Sequence, residues 1–223
     1  MSPFVSVVIH SYNRYDFLQN ALKSVYEQTF QDFEIILIND ESTDERYYKN
    51  NFGDKVKQID IRRNKNPRWT GSRQALINVG LEEASGKYVA LLDDDDIWLK
   101  NKLETQIGVM EDNYFQFSST EGFFGLGKFN QEEKYKLYNA EYFNKVLRKK
   151  YRWTKYLKNG KLPKIWNEEF LKVHNCVIKS SAVIEKDLLK TVGGFRGIPS
   201  KSDYDCWLNI IKLTNLIYID EPL

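Results

Sequence analysis

Over the first hundred residues, short apolar runs alternate with helix-period segments, and this constrains the fold more than any other feature of the chain. Val5 to Ile9 is the first apolar run. Phe17, Leu18, Ala21, Leu22 and Val25 then recur at three- and four-residue spacing, the signature of a helix with one buried face and Asn13 or Asp16 as its N-cap. Glu34 to Ile38, Val56 to Ile61 and Tyr88 to Leu92 read as further strands. Between them, residues 42–45 have capping-box spacing ahead of a short helix, and Ser72 to Ala84 reads as a helix stopped by Gly86. Trp98, Leu103, Ile107 and Met110 suggest another helix. Strands that alternate with helices in this way predict an α/β fold, a mainly parallel sheet flanked by helices.

The pattern lapses over about 112–172, a stretch dense in aromatics and lysines with a Gly-rich turn at 122–127. It returns from Asn175: a strand through Val177-Ile178, a helix near Asp187 to Val192, a Gly193-Gly194-Phe195 turn, a helix around Asp205 to Leu213, and a last strand from Leu216 to Ile219. One domain over 1–223 accommodates all of this.

Charge and cysteine content exclude several function classes. Thirty-three Lys and Arg balance 31 Asp and Glu, so a formal net charge of +2 creates no global field for nucleic acid or anionic lipid. Any charge-driven function must be local. Cys176 and Cys206 form no CxxC pair, which argues against a disulfide framework or zinc site and for a reducing compartment. No run approaches the roughly 18 to 20 apolar residues a membrane span requires. The expected location is cytoplasmic or peripheral to the cytoplasmic side of a membrane, with membrane association left open.

Ligands of open parallel sheets bind outside the carboxyl ends of the strands. Those exits are His10-Ser11-Tyr12-Asn13-Arg14, Asn39-Asp40-Glu41-Ser42 and Asp93-Asp94-Asp95-Asp96. Four adjacent carboxylates repel one another, so a cation or hydrogen-bond donors must compensate them. Hard oxygen ligands select Mg2+ or Mn2+, and a nucleotide's phosphates commonly complete the shell. The alternative is that the aspartates cap the helix that follows. Tyr12 is either a stacking platform for a base or a core aromatic, and Asp40 either a ligand or a turn residue. Arg73, in a first helical turn, opposes the macrodipole and so suggests an anionic partner.

Five blocks, 5–14, 36–44, 71–75, 91–98, and 193–195 with 202–205, together resemble family 2 glycosyltransferases of the GT-A fold. The resemblance covers roughly 4–110 and 174–222. It implies an inverting, nucleotide-sugar-dependent transferase with a UDP-sugar as the expected donor, a glycan, protein or small-molecule hydroxyl as acceptor, and no nucleic acid partner. It also implies Mn2+ or Mg2+ as cofactor. On the resemblance, Tyr12 stacks on the base, Asp40 accepts from the uracil ring, and His10 and Arg73 lie near the nucleotide. Asp93 and Asp94 contact the ribose side, Asp95 holds the metal, and Asp203 is the general base. His10 stands where the family more often has Pro or Thr, and Ser202 where an acid often precedes the base. The resemblance divides the chain into a nucleotide-sugar half at 1–111, a variable acceptor or lid region at 112–173, and an acceptor half at 174–223. It also leads one to expect further sequence after Leu223, in a longer protein.

In the middle region, cations interleave with aromatics over 148–156. Such a stretch stacks sugars, touches single-stranded nucleic acid, rests on a membrane surface, or is a solvated helix face. Trp153 and Trp166 are candidate acceptor platforms, and His174 is a candidate neighbour of the diphosphate or metal. Rival readings include a non-catalytic sugar- or nucleotide-binding module of the same fold. A phosphatase would carry its aspartate motif near the first strand, and a nucleotidyltransferase would want a Gly-rich first exit, where His10 to Arg14 has no glycine.

Overall fold

A computed structural model describes residues 2–62, 76–127, 129–130 and 132–223. Arg73 and the rest of the 71–75 block lie outside the described residues. The first half runs β1 (Val5–Ser11), α1 (Tyr15–Tyr26), β2 (Phe33–Asn39), α2 (Arg46–Lys49), β3 (Val56–Asp60), α3 (Ile77–Glu83), β4 (Tyr88–Asp93) and α4 (Lys102–Asn113). The second half adds β5 (Phe117–Glu121), the two-residue strands β6 (Phe123–Phe124) and β7 (Lys136–Leu137), and a π-helical turn at Tyr138–Tyr142. Beyond these come α5 (Asn144–Tyr151), β8 (Ile165–Trp166), α6 (Glu168–Leu171), β9 (Val183–Glu185), α7 (Lys186–Thr191), α8 (Ser202–Ile210) and β10 (Leu216–Pro222).

Eight strands form one sheet in the order β3-β2-β1-β4-β9-β5-β10-β8. The first four are mutually parallel; β9 runs antiparallel between β4 and β5, and β10 is parallel to β5. Along β1 the side chains alternate between two cores. Val5, Val7 and Ile9 pack with α1 and α4, while Val8 packs with α3 on the opposite face. A sheet covered on both faces requires strands that are apolar throughout, which is why β1, β2 and β4 read as continuous runs.

The main alternation is realised, and four local expectations are not. Asn13 does not cap α1; it takes a left-handed φ of 51° and its side-chain oxygen accepts from the backbone N–H of Thr43 at 2.7 Å. Asp16 sits inside the first turn and pairs with Arg46 at 2.9 Å. The capping box at 42–45 does not form either, because Ser42 Oγ accepts from Asn13 N at 3.0 Å while Asp44 receives Arg46 N at 3.0 Å. The helix after β4 begins at Lys102 rather than near Trp98, whose indole is buried and donates to Ser180 O at 2.7 Å. Val177 and Ile178 form no strand; they precede the 3-10 turn Lys179–Ser181, and β9 follows.

Two devices hold the carboxyl-end loops. Gly193 and Gly194 have φ of 77° and 64°, and a Cβ on Gly194 would come within 2.3 Å of Asn78 Oδ1. Asn78, on α3, clasps the backbone N–H and C=O of Phe195, each at 2.8 Å. Glu121, buried at the end of β5, accepts from the backbone N–H groups of Gly122, Asn139 and Ala140. It thereby fastens the π turn to the sheet.

Lys102 is fully buried in α4, donating to Gln106 Oε1 at 2.6 Å and lying 4.1 Å from the Trp98 ring centroid. Burial pulls its pKa from 10.5 down to about 7. Between those values the unfolded chain binds a proton that the folded chain does not, so stability rises with pH across that interval. Each factor of ten in such an equilibrium is worth about 1.4 kcal/mol. We predict that Lys102→Met gains most relative to wild type at and below pH 7 and loses that advantage towards pH 10; unfolding midpoints at both pH values provide the check.

Candidate active site

At the carboxyl ends of β1 and β4 lies an open cleft of about 920 Å³. His10, Tyr12 and Arg14 reach it from the exit of β1, and Asp93 to Asp96 from that of β4. Lys179 and Ser180 come from the turn before β9, Asn175 from the segment ahead of it, and Asp203 from the first turn of α8. Phe123, Phe124 and Tyr138 give it an aromatic wall.

The acidic exit is partly neutralised by the protein itself. Arg14 donates to Asp95 Oδ2 at 2.6 Å and to Asp94 Oδ1 at 3.3 Å. Lys179 pairs with Asp93. Ser180 Oγ donates to Asp96 at 2.5 Å and accepts the Asp93 backbone N–H at 3.0 Å. Ser11 Oγ donates to Asp94 Oδ2 at 2.7 Å, so the Tyr47 hydroxyl, 2.5 Å from Ser11 Oγ, is the donor in that contact and accepts from Arg14 N at 3.0 Å. None of the four aspartates caps α4, which starts six residues after Asp96.

The carboxylates differ in environment. Burial raises the pKa of Asp94 against the opposing effects of Ser11 and Arg14. Asp96 touches the water in the cleft, but the crowding of its carboxyl by the cleft walls, followed by repulsion from Asp93 and Asp95, pushes it up to about 6. The Arg14 guanidinium is raised: burial works against its charge, and Asp95 and Asp94 outweigh that. The Asp95 side chain is 46% exposed, which leaves it open to a ligand in the cleft.

Asp40 is fully buried beneath the cleft, its Oδ2 3.5 Å from His10 Nε2. Asp203 does not cap α8, whose N-cap is Lys201; its Oδ2 accepts from Asn175 Nδ2 at 3.2 Å. The structure therefore brings His10, Tyr12, Asp93, Asp94, Asp95 and Asp203 to one cleft, with Asp40 just below. Three expected residues stand elsewhere. Trp166 is buried in the core, stacked 4.6 Å from Tyr218 with its indole donating to Pro163 O, and offers no face to an acceptor. Trp153 is 85% exposed and outside the cleft lining. The His174 imidazole, lowered by burial and by Lys150 and Lys201, belongs to a cationic neighbourhood rather than to the aspartates.

Arg14, Lys179, Ser180 and Asn175 were not singled out for roles by sequence reasoning. Arg14 carried a signal, since it closes the first strand exit. Lys179 carried none, because only the fold brings it to Asp93.

A divalent ion suits this donor set in one way only. Among the described residues no group of three or more His, Cys, Asp or Glu is placed to hold an ion unaided. Asp95, an exposed hard-oxygen ligand, fits an ion whose remaining ligands are phosphate oxygens and water.

The cleft sits where ligands of open parallel sheets bind, outside the carboxyl ends of the strands, and the fold is that of GT-A glycosyltransferases. Residues 6–188 match the model of Glycosyl transferase family 2, and the chain belongs to that family. An uncharacterized glycosyltransferase of Rickettsia bellii is 40% identical over 131 residues, 59% of this chain and 18% of that protein. S. aureus TarS 1-349 in complex with UDP-GlcNAc superposes with a TM-score of 0.68 at 16% identity, over 98% of this chain and 56% of that one. The mannosyltransferase PcManGT from Pyrobaculum calidifontis, in complex with GDP-Man and Mn2+, gives 0.63 at 19% identity over 100% and 55%. The chain thus spans less than a fifth of that relative and little more than half of each structure.

Trp166→Ala is expected to cost about 3–5 kcal/mol as a core cavity, whereas Trp153→Ala stays within about 0.5 kcal/mol of wild type. Urea unfolding of both variants is the measurement.

Proposed function

We propose that the protein transfers a sugar, with inversion, from a UDP-sugar to a hydroxyl of a glycan, protein or small-molecule acceptor. The observation that carries this reading is the convergence of Asp203 and the Asp93–Asp96 cluster, from widely separated parts of the chain, on one cleft. In the reading, Tyr12 stacks on the base, and Asp40, buried beside His10 and outside the cleft lining, is assigned to the uracil N–H on the family resemblance alone. Arg73 serves the nucleotide on the strength of the family resemblance alone. Asp93 and Asp94 face the ribose.

Chemistry then needs two charges managed at once. Asp203 takes the proton of the acceptor hydroxyl as its oxygen bonds to the anomeric carbon and the bond from that carbon to the diphosphate breaks. Asn175 donates to one Asp203 oxygen, which orients the carboxylate. A positioned base of this kind contributes roughly 10² to 10⁴ in rate. Lys179 and Arg14 stand in the same cleft and favour negative charge on the departing diphosphate. Asp95 would hold Mn2+ or Mg2+ together with phosphate oxygens, and the bound ion would supply Lewis-acid neutralisation of the leaving group. Because Arg14 already holds Asp95, the ion and the guanidinium compete for that carboxylate.

Titration calorimetry with UDP, with and without Mn2+, tests the donor side: binding strengthens with Mn2+, and Asp95→Ala removes that gain. Metal-independent binding by wild type would refute the ion's role. Asp203→Asn keeps UDP binding and lowers transfer by about 10² or more; transfer at the wild-type rate would take Asp203 out of the base role. A panel of nucleotide sugars identifies the sugar.

A further inference from the structure

One surface carries charge that the fold leaves unpaired. Residues 145–164 contain nine Lys or Arg and no Asp or Glu, in a chain whose net charge is +2. Among the described residues, Lys155 is the one cation of this stretch with an ion pair, to Glu169 at 2.7 Å. Leu147 and Tyr151 of α5 are turned into the core, which leaves Lys145, Arg148 and Lys149, with Arg152 one residue past the helix, exposed at i, i+3, i+4 and i+7 spacing. That spacing puts them on one face. The loop that follows folds against the same face, since a Cβ on Gly160 would come within 3.0 Å of the Arg148 guanidinium. Exposed Lys158 and Lys161 flank that point.

The surface is also apolar where a solvated charge run would not be. Trp153 is 85% exposed with the Arg152 guanidinium 4.8 Å from a ring centroid, and Val146 and Ile165 are exposed nearby in sequence. A water-soluble polyanion would match the cations but leave these side chains uncovered. An anionic bilayer supplies both phosphates for the cations and an interface suited to an amphipathic indole.

We propose that the exposed face of α5 and the loop after it dock the protein on a bilayer containing anionic phospholipid, cations against the headgroups and Trp153 in the interface. The turn that leads into α5 reaches the cleft: Tyr142, two residues before α5, stacks on Phe124 at 3.7 Å and 14°, and Phe124 lines the cleft wall. Leu126, also lining the cleft, is 87% exposed. Docking in this way presents the cleft mouth to a hydroxyl acceptor carried on a lipid. That consequence rests on the transferase reading, whereas the docking itself does not.

Co-sedimentation of the full chain with vesicles tests it without any transfer reaction. Vesicles of phosphatidylcholine with one-third phosphatidylglycerol are expected to bind the chain roughly a hundredfold or more tightly than phosphatidylcholine alone, and high salt removes the difference. Lys145→Gln combined with Lys149→Gln weakens the binding about thirtyfold, and Trp153→Ser weakens it without changing the net charge. Unchanged unfolding midpoints show that these variants fold. Equal binding to neutral vesicles, no binding, or retention on heparin with no vesicle binding would each overturn the proposal.

Discussion

Four carboxylates leave β4 together, and their mutual repulsion must be answered before the strand exit can hold any shape. The answer comes from segments distant in sequence. Arg14 arrives from β1, the strand hydrogen-bonded beside β4, and bridges Asp94 and Asp95. Lys179 and Ser180 arrive from the turn that leads into β9, on the other side of β4, and hold Asp93 and Asp96. The acidic exit is thereby cross-linked to both neighbouring strands. The same contacts that neutralise it also draw the β1 exit, the β4 exit and the turn before β9 together into one cleft. Removing a cation here would cost position as well as charge, because a carboxylate left without its partner would turn towards water.

The second requirement is that the region between β5 and β9 stay attached. It has little β-structure of its own, and its stability rests on aromatic contacts and on Glu121. That buried carboxylate receives three backbone N–H groups, so the polypeptide at 122 and 139–140 is held to the end of β5. Tyr151 stacks on Phe170, Trp166 packs tilted against Phe170, and Tyr218 stacks on Trp166. This aromatic column anchors the base of α5, while its opposite face keeps the lysines in water. An inserted region can thus vary on its outer surface with little effect on the sheet.

Much of this was legible in the residues. Apolar runs doubly buried in a parallel sheet announce themselves, and β1, β2 and β4 were read within two residues of their ends. The three-residue β9 was misread as Val177-Ile178, since so short a strand carries no periodicity and is defined by its pairing with β4 and β5. The site was legible as far as strand exits reveal it: the aspartates, Tyr12, His10 and Asp40. Lys179 and Asn175 were not, because their contacts with Asp93 and Asp203 exist only through the topology. Trp166 and Trp153 look alike in a stretch of aromatics and lysines. What separates them is Tyr218, a residue of the last strand, which covers one and not the other.

The near-zero net charge therefore describes a segregation, with acids at the cleft and bases on the α5 face. A nucleotide diphosphate entering a cleft that already holds four aspartates meets repulsion, and in a partly dehydrated site that repulsion is weakly screened. Arg14 and Lys179 cannot fully answer it, because each is engaged with a carboxylate of the cluster. On the proposed reading, a divalent ion arriving with the diphosphate resolves the shortage, since it brings two positive charges and asks the protein for as little as one ligand. A site that held its ion permanently would have to keep Asp95 away from Arg14, and would lose the contact that shapes the exit of β1.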